Sequence, residues 1–368
     1  MRTAVVIGTG LIGTSVALAL TRRGVTVYLD DASSTAARTA EAMGAGSCRL
    51  PDEAVDLAVL AVPPARIGGV LADAQRAGLA HAYTDVASVK ARPHSELDAA
   101  GADPARYIGG HPLAGAERSG PLAGRADLFE GRPWVLTPSV RTEQSVLNRA
   151  LELVSLCSGV PVVMDTAEHD AAVALTSHAP HLVSALMAGR LEHAPEQSLR
   201  ISGQGLRDVV RIAGGGTGLW GEILEANADA VADVLDAYAA DLACAVGALR
   251  GLGSADPEAR KEAAGALDAL LAQGNRGHAR VAQKSGADDL ALVPVIISDQ
   301  PGQLAELFAA VGAAGVNIED VRIEHSLDRP RGLVELFVAR TAAAELSRLL
   351  GDAGWTAPAR TPLAGAPR

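Results

Sequence analysis

The hexapeptide Gly8-Thr9-Gly10-Leu11-Ile12-Gly13 constrains this chain more than any other feature. It follows a valine-rich apolar run and opens an alanine-rich helical one. In that setting each glycine has its own task. Gly8 permits the tight turn, Gly10 lets backbone approach a pyrophosphate, and Gly13 lets the helix lie close to the strand. The helix N-terminus then faces the phosphates, with Thr9, Leu11 and Ile12 completing the cradle. A second apolar run ends in Asp30-Asp31, and Asp30 stands seventeen residues past Gly13. A carboxylate there accepts from both ribose hydroxyls and repels a 2′-phosphate, so NAD is expected over NADP, with Asp30 as the discriminator. Val62 and Pro63 end the next central strand at the sheet edge where ligands bind. They either touch the cofactor or simply stop the strand.

The surrounding pattern supports a doubly wound sheet. Apolar runs at 4–7, 25–29, 57–62 and 82–86 alternate with helical stretches at 11–23, 34–43 and 65–77. That rhythm predicts βαβ units and a parallel sheet, extended by strands at 107–108, 134–137 and 160–164. The predicted first domain is Rossmann-like and covers residues 1–165. From 166 to 272 β-type runs vanish and apolar residues recur at helical spacing, so an all-α domain follows. Its apolar faces exceed what it can bury alone, which predicts a homodimer through it. Residues 273–289, with Gly274, Asn275, Gly277 and Gly286, read as a linker. Residues 290–358 return to β-α-β-β-α order, a small α+β ferredoxin-like sandwich, and 359–368 read as a flexible tail.

Composition excludes several functions. Alanine is about a fifth of the chain and aromatic residues only 3%, so cores are built from small aliphatic side chains and helices are plentiful. A net charge of -11 leaves no electrostatic footprint for nucleic acid or an anionic membrane. Cys48, Cys157 and Cys244 form neither a disulfide framework nor a zinc pattern. Met1 runs almost directly into the first strand and the stretch 228–249 carries four aspartates, so a cytoplasmic chain without a signal peptide or membrane span is expected. Only Lys90, Lys261 and Lys284 are lysines, which weighs against a lysine base in the middle of the chain.

Two segments fall where strands of such a fold deliver residues to a nicotinamide. One is Thr84-Asp85-Val86-Ala87-Ser88-Val89-Lys90. The other is Gly109-Gly110-His111-Pro112-Leu113-Ala114-Gly115-Ala116-Glu117-Arg118-Ser119-Gly120. A histidine between glycines and a proline, just past a strand, is poorly explained by packing. In the helical region come Glu168-His169-Asp170 and Ser177-His178-Ala179-Pro180-His181. His178 and His181 share a helix face, but a metal would need a third ligand and a carboxylate. Arg207 and Arg211, with Trp220 beyond, stand in a lysine-free stretch.

Taken in order, these motifs resemble the prephenate and arogenate dehydrogenases of tyrosine biosynthesis over residues 4–220. The His111-Pro112-Leu113-Ala114-Gly115 segment is the most specific part. One departure stands before Trp220, where Gly214-Gly215-Gly216-Thr217-Gly218-Leu219 is unusually rich in glycine. Residues 298–302 and 316–318 resemble an ACT domain, an amino-acid-sensing module. There Pro301, Gly302, Asn317 and Ile318 would form a regulatory site for L-tyrosine.

The resemblance implies NAD-dependent oxidative decarboxylation of prephenate to 4-hydroxyphenylpyruvate. The chemistry needs an acceptor for the proton of the 4-hydroxyl, which neutral His111 supplies, with Ser88 orienting His111 or the hydroxyl. Arg211 answers a substrate carboxylate, and His181 can hydrogen-bond the substrate side chain. Trp220 lines the pocket by resemblance, and Glu117 pairs with an ammonium or gates the site. The alternatives are an arogenate dehydrogenase making L-tyrosine directly, and a catalytically silent sensor of NAD and an amino acid. A β-hydroxyacid dehydrogenase is disfavoured because no lysine lies between Lys90 and Lys261.

Overall fold

Runs of valine, alanine and leucine without polar interruption are stable as strands only where helices cover both faces. Those of the first half build a seven-stranded sheet of order β2-β1-β3-β4-β5-β6-β7. Its elements are β1 (Thr3–Ile7), α1 (Leu11–Arg22), β2 (Thr26–Asp30), α2 (Ser34–Ala42), β3 (Val55–Leu60), α3 (Ile67–Arg76), β4 (Ala80–Asp85), α4 (Ala91–Ala100), β5 (Tyr107–Pro112), β6 (Pro133–Thr137), α5 (Gln144–Leu156) and β7 (Val160–Val163). The computed structural model describes residues 1–49, 51–115, 118–284, 290–298, 300–325 and 331–356. Two units are distinguished, divided between residues 240 and 241.

β1 pairs in parallel with both β2 and β3, so the chain reverses direction across the sheet at β1. Such a switch point opens a crevice at the carboxyl ends of the strands, which is where Gly8 and Ala61 lie. Two expectations need correction. β5 pairs antiparallel with β6, so β6 and β7 run against the other strands. β5 also extends to Pro112, which puts His111 inside the strand opposite Val135 rather than just past it. Strand direction is set by how the chain returns between elements, and composition carries no record of that.

Helices follow: α6 (Thr166–Val173), a π-helical turn (Ala174–His178), α7 (Ala179–Gly189), α8 (Glu196–Arg200), α9 (Gln204–Arg211), α10 (Thr217–Ala226), α11 (Ala228–Gly251) and α12 (Pro257–Lys284). The π turn sits where Pro180 has no N–H to continue the helical ladder, and Thr176 returns its hydroxyl to the Ala172 carbonyl at 2.8 Å. The stretch Thr166–Gly189 is long and apolar enough to cross a membrane by length and composition alone. Its buried positions, however, include His169, Asp170, His178 and His181.

In the second unit, α12 runs through residues 273–284, which the sequence predicts as linker. Gly274 and Gly277 cost a helix about 1 kcal/mol each, which a 28-residue helix absorbs. The rest of that expected linker, 285–289, lies outside the described residues, as does the expected tail. β8 (Leu290–Ser298), α13 (Gln303–Ala313), β9 (Ile318–His325), β10 (Arg331–Ala339) and α14 (Arg340–Asp352) form a small α+β domain. Its antiparallel sheet has the order β8-β10-β9, and Ile296 bridges Thr356 on the outer edge of β8. Val293, Val295, Leu307, Val334, Leu336 and Leu346 form its core.

Candidate active site

The glycine loop takes the form its sequence asks for. Gly8 adopts φ +100, and a Cβ there would meet the Ala61 carbonyl oxygen at 2.3 Å. A Cβ on Gly13 would fall 1.9 Å from the Gly8 carbonyl oxygen, whereas one on Gly10 would meet nothing within 4 Å. Two glycines therefore close the turn against the sheet, and the third leaves open space before the N-terminus of α1. Thr9 differs from expectation. It is fully buried, and its N–H and hydroxyl both donate to Asp31, at 2.6 and 2.8 Å. Asp31 also accepts from the Ser33 N–H at 2.7 Å, so this pair clamps the loop, and the exposed Asp30 at the end of β2 makes no side-chain hydrogen bond or ion pair among the described residues. A cavity of about 570 Å³ is lined by Gly8, Gly10, Asp30, Val62, Pro63 and Arg66, among others. Leu11 and Ile12 open α1 half-buried.

His111 is held by a partner that sequence reasoning did not assign. Its Nδ1 lies 2.8 Å from His169 Nε2, and His169 Nδ1 lies 2.7 Å from Asp170 Oδ1. Local structure explains how α6 delivers both residues. Asp165 caps the helix by accepting from the Ala167 and Glu168 N–H groups, which starts it one turn before His169. Asp170 in turn accepts the N–H groups of Lys90 and Ala91, at 2.9 and 2.8 Å, at the N-terminus of α4. Burial alone would raise the Asp170 pKa, but His169 and these two N–H groups hold it below the ordinary carboxylate value.

These contacts dictate the tautomers. An ionised Asp170 only accepts, so a singly protonated His169 carries its proton on Nδ1 and offers a lone pair at Nε2. His111 must then donate from Nδ1, which leaves its own Nε2 as an acceptor. Burial, then the Lys90 ammonium, then His169 and His178, push the His111 pKa well below the ordinary histidine value. The imidazole is therefore neutral at physiological pH, as a proton acceptor must be.

Ser88 is half-buried and makes no side-chain hydrogen bond among the described residues, and the Nδ1 of His111 faces His169 instead. Glu117 lies outside the described residues.

A second cluster adjoins the first. Asn227 donates from Nδ2 to the Asp170 carbonyl at 2.9 Å and lies 3.1 Å from His178 Nδ1. Burial brings the His178 pKa down to about 4. His178 meets Trp220 edge-on, and His181 stacks on the same indole with ring centroids 3.6 Å apart and planes at 11°. The glycine-rich segment before Trp220 now has a reason. A Cβ on Gly215 would lie 2.3 Å from the indole Nε1, so only glycine lets the ring lie there. Arg211 ends α9, exposed and without an ion pair among the described residues. Ser184 of α7 ties that helix down by donating to the Val209 carbonyl at 2.6 Å. Among the described residues no group of three or more His, Cys, Asp or Glu could hold a metal.

The arrangement thus has a dinucleotide cradle, a buried imidazole with its lone pair defined, and an aromatic wall with a free guanidinium nearby. Comparison with known proteins agrees. Residues 16–163 match the family described as prephenate dehydrogenase, nucleotide-binding domain, and 165–257 match prephenate dehydrogenase, dimerization domain. The probable prephenate dehydrogenase NovF of Streptomyces niveus is 43% identical over 97% of this chain and 99% of its own length. An Aquifex aeolicus prephenate dehydrogenase structure, solved with hydroxyphenyl propionate and NAD+, shares the fold at a TM-score of 0.65 and 23% identity, covering 76% of this chain and 98% of that one. A Synechocystis arogenate dehydrogenase structure gives a TM-score of 0.61 at 26% identity, over 76% of this chain and all of that one. On these grounds, the chain belongs to the prephenate dehydrogenase family.

Proposed function

We propose that this protein oxidatively decarboxylates prephenate to 4-hydroxyphenylpyruvate with NAD as cofactor. The observation that carries the reading is the relay Asp170–His169–His111, which leaves one neutral imidazole nitrogen ready to accept a proton. The open space before Gly10, the exposed Asp30 and the family's nucleotide-binding domain support NAD. Gly8, Gly10 and the N-terminus of α1 would hold the pyrophosphate, and Asp30 the adenosine ribose. When bound, the cofactor accepts the hydride.

The C4–H bond of prephenate gives up its electron pair as hydride. The bond from C1 to the ring carboxylate breaks, and its pair completes the aromatic ring as CO₂ departs. His111 Nε2 accepts a hydrogen bond from the 4-hydroxyl and takes up its proton as C–O double-bond character grows. It returns that proton to the phenolic oxygen of the product. Through His169, Asp170 stabilises the positive charge that visits His111. Arg211 meets a substrate carboxylate, His181 and Trp220 face the side chain, and Ser88 is free to bond the 4-hydroxyl. Prephenate-dependent NADH formation tests the reading. The kcat/KM values on prephenate and arogenate, each with NAD and NADP, should be highest for prephenate with NAD. Tight NAD binding without turnover would leave a sensor instead.

Two finer readings concern assembly and regulation. Exposed Leu175, Leu186, Ile201 and Leu219, in the segment matching a dimerization domain, support a homodimer. The antiparallel order β8-β10-β9, with Thr356 bridging the free edge of β8, suits a ferredoxin-like ACT domain. L-tyrosine would bind at Pro301-Gly302 and Asn317-Ile318. Gly302 has φ +96 before α13, and Asn317 already gives its amide to Glu319 at 2.8 Å. A chain ending after Gly286 should stay active and lose most of its inhibition by tyrosine. Undiminished inhibition would place tyrosine in the catalytic pocket.

A further inference from the structure

Lysine is rare in this chain, yet Lys90 is completely buried within the first unit. Its ammonium pairs with Asp85 Oδ1 and donates to the Gly110 carbonyl at 2.6 Å. Asp85 also accepts the Tyr107 hydroxyl at 2.5 Å and the Ala87 N–H at 2.7 Å. The Gly110 N–H reaches Asp85 Oδ2 at 3.4 Å, so the pair engages both polar groups of the residue before His111. The strand passes so close that side chains are excluded. A Cβ on Gly110 would lie 2.5 Å from the Asp85 carbonyl oxygen, and one on Gly109 would lie 2.4 Å from Thr137 Oγ1 and 3.1 Å from Lys90 Cδ. Meanwhile the Lys90 N–H bonds Asp170. One residue thus holds the strand that bears His111 and the carboxylate that ends its relay.

A buried ion pair is seldom the most stable filling for a core, since apolar residues of similar volume often do as well or better. We propose that Lys90 is a positioning residue for His111. Clamped between Asp85 and the Gly110 carbonyl, it fixes the strand that carries the imidazole and sets a positive charge behind it. The groups facing His111 are then Lys90 from the loop before α4, His169 of α6 with Asp170 behind it, and His178 from the π turn. Lys90, His169 and His178 disfavour a resting imidazolium, whereas Asp170 supports the transient one. Lys90 therefore keeps His111 ready to accept a proton at mildly acid pH, where an ordinary histidine would already be charged.

The inference rests on the dehydrogenase reading, and its test is arranged so that the two can fail separately. The variants are Lys90→Met and the double variant Asp85→Asn/Lys90→Met, which leaves no buried carboxylate alone if the single variant folds poorly. In NAD-loaded protein without substrate, the ring Cε1–H signal of His111, assigned with His111→Asn, is titrated by NMR. Its midpoint should rise by about one unit or more in Lys90→Met, the usual effect of removing a nearby like charge, and by less, though still upward, in the double variant, which removes the opposing Asp85 carboxylate as well. With prephenate, the acid limb of kcat/KM should move up by the same amount. Activity at low pH then falls about tenfold further than at alkaline pH, for a one-unit shift. An unmoved midpoint, or a loss equal at every pH, would overturn the proposal. Should the wild-type protein not turn prephenate over, the NMR midpoint alone decides the role of Lys90.

Discussion

Replacing Asp170 by Asn tests the relay most directly, because it keeps shape while removing the charge and exchanging one acceptor oxygen for a donor. Asp170 receives three N–H donors, from His169, Lys90 and Ala91, and its oxygens have no N–H of their own to present. An Asn side chain has one oxygen and one NH₂, so it cannot serve all three. If its oxygen stays with His169 and Lys90, the NH₂ faces the Ala91 N–H. A charge-assisted hydrogen bond contributes about 1.5–3 kcal/mol, and an orphaned buried donor costs about 1–3 kcal/mol. The fold should therefore lose about 2.5–6 kcal/mol. If the amide flips, its NH₂ donates to His169 Nδ1, and His169 must carry its proton on Nε2. His111 then accepts at Nδ1 and presents an N–H where a lone pair is needed. Loss of the right tautomer lowers kcat by about 10⁴-fold where an aspartate fixes a catalytic histidine. Loss of the charge alone, at about 1.4 kcal/mol per tenfold, lowers it by about 10- to 150-fold. Steady-state NADH formation should thus show kcat reduced between about 10- and 10⁴-fold, with NAD affinity by fluorescence titration nearly unchanged. A kcat within threefold of wild type, in protein that melts cooperatively, would refute the relay.

Other expectations are simpler. His111→Asn should lower kcat by about 10²–10⁴-fold and leave NAD binding intact; near-normal turnover would remove His111 from the chemistry. Asp30→Ala should erode the NAD over NADP ratio of kcat/KM, since the 2′-phosphate is no longer repelled, and an unchanged ratio would place selectivity elsewhere. Arg211→Ala should raise KM for prephenate well above any change for NAD, whereas equal changes would indicate structural damage. His178 is depressed by burial to about 4, so the unfolded chain binds its proton first as pH falls. Its contribution to stability is present above about pH 6.5 and is lost as the pH drops toward 4, so the melting temperature should decline across that window and flatten in His178→Asn.

What could be read beforehand follows from the range of each interaction. The phosphate loop was legible because strand, turn and helix lie within ten or so residues, and its glycines answer to contacts inside that unit. Even so, Asp31 carried no role of its own beside Asp30, since nothing in two adjacent aspartates says which one turns back to Thr9. His111 stood out through its glycines, although their reason, the Thr137 hydroxyl and the Asp85 backbone packed against them, could not be seen from composition. The expected linker failed at 273–284 because glycine is a weak helix breaker once a long helix is established on either side.

The partner of His111 lay outside sequence reasoning for a different reason. His169 stands 58 residues away, on a helix whose start is set by Asp165, and proximity appears only when α6 packs beside the start of α4. A usable signal was nonetheless present. Thr166–Gly189 is apolar enough to pass for a membrane span, and a helix of that kind has little cause to bury an aspartate and three histidines. Most of those groups are therefore answered from elsewhere in the fold. Asp170 is answered by the N-terminus of α4, His169 by His111 and His178 by Asn227, while His181 stacks on Trp220 and keeps its Nδ1 without a hydrogen-bond partner among the described residues. Polar residues buried on an otherwise apolar helix thus mark where the sheet and the helices meet, and in this chain that junction is the proposed catalytic centre.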